Sequence, residues 1–200
     1  MGNTFNRTYS KRRSTFNFDL TKDFDMDAFK NVIELFSSNM PSKQFEFPYQ
    51  IDILDWSDRE LRKDIFYGTT PRSFSEQKCI YNNQVLAPVL IIFTQELPGE
   101  YIAPIEIGMA LMSLTYLLQS NGFLTSFCQC IEDPNYLSTR ITGKDNTTLR
   151  VILPVGQHAY PRGTHTIPNP FGPHLAPKGY DSSYSSLTTP NIKYQIDTSK

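Results

Sequence analysis

Val89-Leu90-Ile91-Ile92-Phe93 is an unbroken apolar run introduced by Ala87-Pro88, and a second long apolar stretch, Pro104 to Gln119, follows it. An antiparallel strand with one wet face alternates apolar and polar residues. The run 89–93 does not alternate, so it reads as a strand covered on both faces. Along 104–119 two stripes recur at helical spacing. One is Ile105, Met109, Met112 and Tyr116; the other is Ile107, Leu111, Leu114 and Leu118. A helix that is apolar nearly all round has to be buried nearly all round. In a chain of 200 residues this predicts a central helix with part of its surface against a second subunit.

Working outward, Phe123 to Cys130 reads as strand-like, after a helix end at Asn121-Gly122. Leu149 to Val155 reads as a second central strand closed by Gly156. Upstream, Phe29, Ile33 and Phe36, with Val32 and Leu35 beside them, give a helix one apolar face. Asp25 precedes it and Pro41 stops it. The aspartates Asp19, Asp23, Asp25 and Asp27 complement the dipole at its start. Tyr49 to Leu54 alternates, which predicts a strand with one solvated face. Ser57, with Glu60 at the capping-box position, predicts the start of a short charged helix to Ile65. Residues 68–75 read as a loop, and Gln77 to Val85 as a helical stretch.

Composition removes several classes of function. A net charge of −1 gives no basic excess for nucleic acid. No apolar run reaches the roughly 18 residues of a membrane span, and no signal-peptide core opens the chain. Three cysteines, Cys79, Cys128 and Cys130, make no disulfide framework, which suits a reducing cytoplasm. Cys128 and Cys130 lie two apart on the expected strand, so they are expected on one side as buried thiols. His158, His165 and His174 lack the spacing of a zinc site. No phosphate-binding glycine loop and no nucleophile elbow is present.

Two cations and a hydroxyl stand together at Arg12-Arg13-Ser14, in a basic stretch that also holds Arg7 and Lys11. Guanidinium groups beside a hydroxyl suit a phosphate dianion, because charge-assisted hydrogen bonds to it are short and strong. The same residues also read as a solvated basic N-terminus. Beyond Gly156 the composition shifts to Pro, Ser and Thr, with Tyr160, Phe171, Leu175, Tyr180, Tyr184, Leu187 and Tyr194 interspersed. This predicts a domain over 1–157 and an irregular C-terminal arm over 158–200.

The order of these segments resembles the nitroreductase-like flavoproteins, from about residue 10 to 157. The resemblance is carried by Arg12-Arg13-Ser14-Thr15, by Pro41-Ser42 leading to Pro48-Tyr49, and by Ala87-Pro88-Val89-Leu90-Ile91-Ile92. It continues through Glu106-Ile107-Gly108-Met109-Ala110 into Asn121-Gly122-Phe123-Leu124-Thr125, and ends at Leu153-Pro154-Val155-Gly156. It implies a three-layer α+β fold with a central mixed or antiparallel sheet flanked by helices, and an obligate homodimer. It also implies FMN as cofactor, NAD(P)H as electron donor and a small aromatic or quinone-like acceptor, with no side-chain acid or base required.

The resemblance places Arg12, Arg13 and Ser14 on the flavin phosphate and ring edge. It places Phe16 where that family carries a cation, and Phe45 and Phe47 where the loop begun by Pro41-Ser42 carries an Asn and a Gln. It places the backbone of Cys128-Gln129 near flavin N5. Phe16, Phe45 and Phe47 are departures: aromatic rings can wall a pocket but cannot read the polar edge of a flavin. Two other readings stay open. One is a structural or interaction protein that keeps the fold without the flavin. The other is a related flavin chemistry such as flavin fragmentation or reductive dehalogenation.

Overall fold

The computed structural model describes residues 13–40, 46–69, 82–99, 101–160 and 192–195. Helix α1 spans Met26–Ser37, strand β1 Gln50–Leu54 and helix α2 Arg59–Gly68. A 3-10 turn, Asn83–Leu86, leads into β2, Val89–Glu96. Helix α3, Ala103–Ser120, is followed by the short β3, Leu124–Thr125. Helix α4 is Pro134–Thr142, β4 is Thr147–Gly156 and β5 is Ile192–Gln195.

The sheet runs β3-β4-β2-β1-β5. All its pairings are antiparallel except β1 with β5, which is parallel, so the sheet is mixed. Val89, Ile91 and Phe93 of β2 enter one core with α1 and α3. Leu90 and Ile92 enter another with Leu61, Ile65 and Phe66 of α2 and Leu137 and Ile141 of α4. That division is the physical meaning of the unbroken apolar run: successive side chains point to opposite faces, and a helical layer covers each face. The architecture is the expected three-layer α+β one.

The helix starts follow from short polar side chains. The Asp25 carboxylate accepts from the Ala28 N–H at 2.9 Å, and the Asp133 carboxylate from the Tyr136 N–H at 2.9 Å. Helix α2 corrects the expected cap. Asp58, not Ser57, accepts from the Leu61 N–H at 2.9 Å, and Ser57 instead donates its own N–H to Asp55. A charged carboxylate is the stronger acceptor at a helix start.

Strand β1 corrects the expectation of a solvated face. Asp52 is 1% exposed, and Gln50 donates to both of its carboxylate oxygens at 2.9 and 2.8 Å. β1 lies between β2 and β5, so its polar positions meet partners inside the protein instead of water. The stretch 123–130 is regular only over Leu124–Thr125, with a single further bridge from Cys128 to Ile152. Of the expected helix 77–85, only 82–85 lies in the described residues, and there the regular part is the 3-10 turn. The loop 70–75 lies outside the described residues.

Helix α3 shows both stripes, but in different surroundings. Ile107, Leu114 and Leu118 are buried in the core, whereas Ile105 is 55% and Met109 53% exposed, with Met112 beside them. Within a single chain, the stripe Ile105, Met109 and Met112 is open. Tail residues 192–195 add to the sheet edge alongside β1, with Ile51 opposite Ile192.

Candidate site at the edge of the sheet

The segment carrying Arg13 and Ser14 lies along β3. Ser14 pairs with Thr125 in a parallel bridge, and the Thr15 N–H donates to the Thr125 carbonyl at 2.9 Å. Arg13 and Ser14 are exposed there, and Phe16 is 61% exposed. The N-terminal motif is therefore presented outward from a backbone fixed to the sheet.

Residues 125–128 form the strip on which it rests. The Ser126 N–H donates to the Pro154 carbonyl at 3.1 Å. The Cys128 N–H donates to the Ile152 carbonyl at 2.9 Å, and the Cys128 carbonyl accepts from the Ile152 N–H at 3.0 Å. Side chains brace the strip from behind. Gln119 donates to the Thr125 hydroxyl at 2.7 Å, Ser126 donates to the Gln84 side-chain carbonyl at 2.6 Å, and Asn82 donates to the Cys128 sulfur at 3.0 Å. Sequence reasoning missed these supports. Their signal is the polar group Asn82-Asn83-Gln84 directly before an apolar run, a place where buried amides need named partners.

After Cys128 the chain leaves the ladder, and the Ile131 N–H turns back to the Gln129 carbonyl at 2.9 Å. This corrects the expected pairing of the two cysteines on one side. Cys128 is buried and Cys130 exposed. It also narrows what the strip offers a ligand. The Cys128 thiol faces the core between the sheet and helices α2 and α4, and its N–H is committed to Ile152. Gln129 is exposed, and its N–H has no partner among the described residues.

Burial pushes the Cys128 thiol up to about 11, against the hydrogen bonds from Cys130 and Asn82 that favour the thiolate. At neutral pH it is a protonated core thiol. In a chain carrying Cys79→Ser, an aromatic disulfide reagent should modify Cys130 within minutes and leave Cys128 intact until denaturant is added. Mass mapping of the labelled peptide checks this, and two labels under native conditions would contradict it. Among the described residues no group of three or more His, Cys, Asp or Glu is placed to hold a metal ion. No helix among them is long and apolar enough to cross a membrane.

Phe47 is not on this edge. It is half-buried against the α1–α3 face of the sheet, and its φ of 44° puts a non-glycine residue in the left-handed region just before Pro48. Arg12, Ser42 and Phe45 lie outside the described residues. The structure thus brings Arg13 and Ser14 to Thr125, with Phe16 following on the same segment and Cys128-Gln129 following Thr125 along the chain.

The layered α+β architecture is that of solved nitroreductases. A nitroreductase with bound FMN from Bacteroides fragilis NCTC 9343 aligns with a TM-score of 0.63 at 19% identity, over 84% of this chain and 100% of that one. Oxidized iodotyrosine deiodinase bound to FMN and 3-iodo-L-tyrosine gives 0.64 at 17% identity, over 82% and 97%. The FMN-dependent nitroreductase NfnB from Mycobacterium smegmatis, in complex with NADPH, gives 0.60 at 12% identity, over 78% and 88%. The chain therefore has the nitroreductase fold and spans nearly the full length of these proteins. No family model and no curated protein sequence matches it.

Proposed function

We propose that this chain is an FMN-dependent oxidoreductase that takes electrons from NAD(P)H and passes them to a small aromatic or quinone-like acceptor. The observation that carries the reading is the docking of Arg13-Ser14 on Thr125, which holds an exposed cation and hydroxyl on a fixed backbone at the sheet edge. That donor set fits the phosphate end of FMN, which needs cations and O–H donors held in fixed geometry. Arg13, with Arg12 beside it in sequence, supplies charge to the phosphate, and Ser14 supplies a directional donor. The Gln129 N–H supplies a donor for the ring. The bound flavin would supply the two-electron chemistry, and the protein supplies orientation and exclusion of water. Phe16 contributes an apolar surface where water would otherwise reach the site. Ser42 and Phe45 belong to the loop proposed to complete the pocket wall, whereas Phe47 packs against the α1–α3 core.

The open stripe Ile105, Met109 and Met112 on α3 supports a homodimer, because a second copy of the same helix would remove it from water. A reducing cytoplasm suits a chain whose described thiols, Cys128 and Cys130, are both free.

The test is an FMN titration of the purified protein, followed by flavin fluorescence quenching and visible absorbance. Arg13→Ala should weaken FMN binding by roughly 10- to 100-fold, the loss of one charge-assisted contact. Its unfolding midpoint should stay unchanged, because Arg13 is exposed. Equal affinity in parent and variant would remove Arg13 from the site. A parent protein that binds no FMN would favour a fold kept for interaction alone. The specific observation behind that second reading is Phe16, an apolar ring at 61% exposure directly after the motif.

A further inference from the structure

The segment 14–19 is held at two places, and only one of them is on strand β3. Four residues after Ser14, Phe18 pairs antiparallel with Ala159. The Asp19 N–H donates to the His158 carbonyl at 2.9 Å, and the Tyr160 N–H donates to the Asn17 carbonyl at 3.0 Å. Just before α1, the Asp25 N–H donates to the side-chain carbonyl of Gln157. Residues 157–160 therefore run beside the N-terminal segment as a short second rail.

Side chains tighten it. The Asp19 carboxylate accepts the Thr21 N–H at 3.0 Å and the Thr21 hydroxyl at 2.6 Å. Burial pushes this carboxyl up, but the bonds from Thr21 and the Tyr160 hydroxyl outweigh it and hold it below the ordinary carboxylate range. The Tyr160 hydroxyl is pushed up in turn, by burial and by Asp19. All of these contacts lie within a few residues of Gly156, where β4 ends.

We propose that residues 157–160 are a strap that positions the anion-binding segment Arg13-Ser14, with Asp19 and Tyr160 as its positioning residues. The ligand in this proposal rests on the FMN reading; the strap does not. Without the strap, residues 14–19 lose the backbone bonds to His158 and Tyr160 and keep those to Thr125 and the packing of the Phe18 ring. The motif's exposed groups would then sample many positions and lose the preorganisation that phosphate binding needs.

Trypsin reads the strap without any flavin. Cutting between Arg13 and Ser14 requires the residues after the bond to leave the surface, so the rate reports local opening of 14–17. Four variants of the full chain suffice: Asp19→Ala and Tyr160→Ala, with Asp19→Asn and Tyr160→Phe as conservative partners. The alanine variants should expose a new Ser14 N-terminus about tenfold faster and bind FMN about tenfold more weakly, at an unchanged unfolding midpoint. The conservative variants should recover most of both. Cleavage at the parental rate in the alanine variants would overturn the strap. So would a loss of unfolding midpoint that accounts for the whole change, since the residues would then be merely structural. Faster cleavage in a protein that binds no FMN in any form would keep the strap and sink the flavin reading.

Discussion

Arg62→Ala should be among the most damaging single substitutions in this chain, costing roughly 3–5 kcal/mol of unfolding free energy. Arg62 is 1% exposed and is the largest fully buried side chain. Its guanidinium carbon lies 4.4 Å from the centre of the Trp56 ring. One terminal nitrogen donates to the Val85 carbonyl at 3.0 Å and also to the Ala87 carbonyl. Those carbonyls bracket the end of the 3-10 turn that leads into β2. Removing the side chain leaves buried acceptors unpaired, a void against Trp56 and no tie between α2 and the entry of the central strand. Arg62→Met keeps most of the volume and loses the donors, so it should fall between parent and alanine. Urea unfolding measures both. A cost below about 1 kcal/mol for Arg62→Ala would mean that water or a shifted side chain takes over its bonds.

Gly156→Ala should cost roughly 1–3 kcal/mol, a large effect for one added methyl. A Cβ at this position would lie 2.5 Å from the Phe18 ring and 3.0 Å from the Pro88 ring. Phe18 is 1% exposed, so its ring has no open space to move into. Gly156 is present because two rings close over the backbone at the end of β4. Phe18→Leu in the same chain should restore part of the loss, giving a coupling energy well outside error in a double-mutant cycle. Strictly additive losses would show that the contact is not what selects glycine.

The sequence made the sheet legible where its apolar pattern was unambiguous. Val89 to Phe93 could be nothing but a doubly covered strand, and the two stripes of 104–119 could belong only to a helix with apolar surface on opposite sides. The pattern could not say that the outward stripe, Ile105 and Met109, would be open in one chain, because periodicity records hydrophobicity and not its partner. It misread β1, since Asp52 looks like a solvated position until Gln50 is seen to satisfy it. It misjudged Cys128 and Cys130 because strand alternation was extended past the point where the ladder ends. At the site, Arg13 and Ser14 were legible as a chemical motif. What fixes them was not. Thr125 is far away along the chain, Gln84 and Asn82 act from behind the strip, and residues 157–160 sit in a stretch with no periodicity at all.

The strand pairings also set an order of assembly during synthesis. Val89 of β2 meets Val155 of β4, and Ile51 of β1 meets Ile192 of β5. Ser14 meets Thr125, and Phe18 meets Ala159. A ribosome delivers residues at roughly 5–20 per second, so residues 14–18 wait several seconds for partners made much later. During that wait Phe18 has no glycine to close over, and one flank of the run 89–93 is bare. The nascent chain therefore carries its stickiest strand unsheltered until β4 emerges, a natural point for chaperone engagement. The basic motif is made well before Thr125 and residues 157–160, the partners that fix it in place.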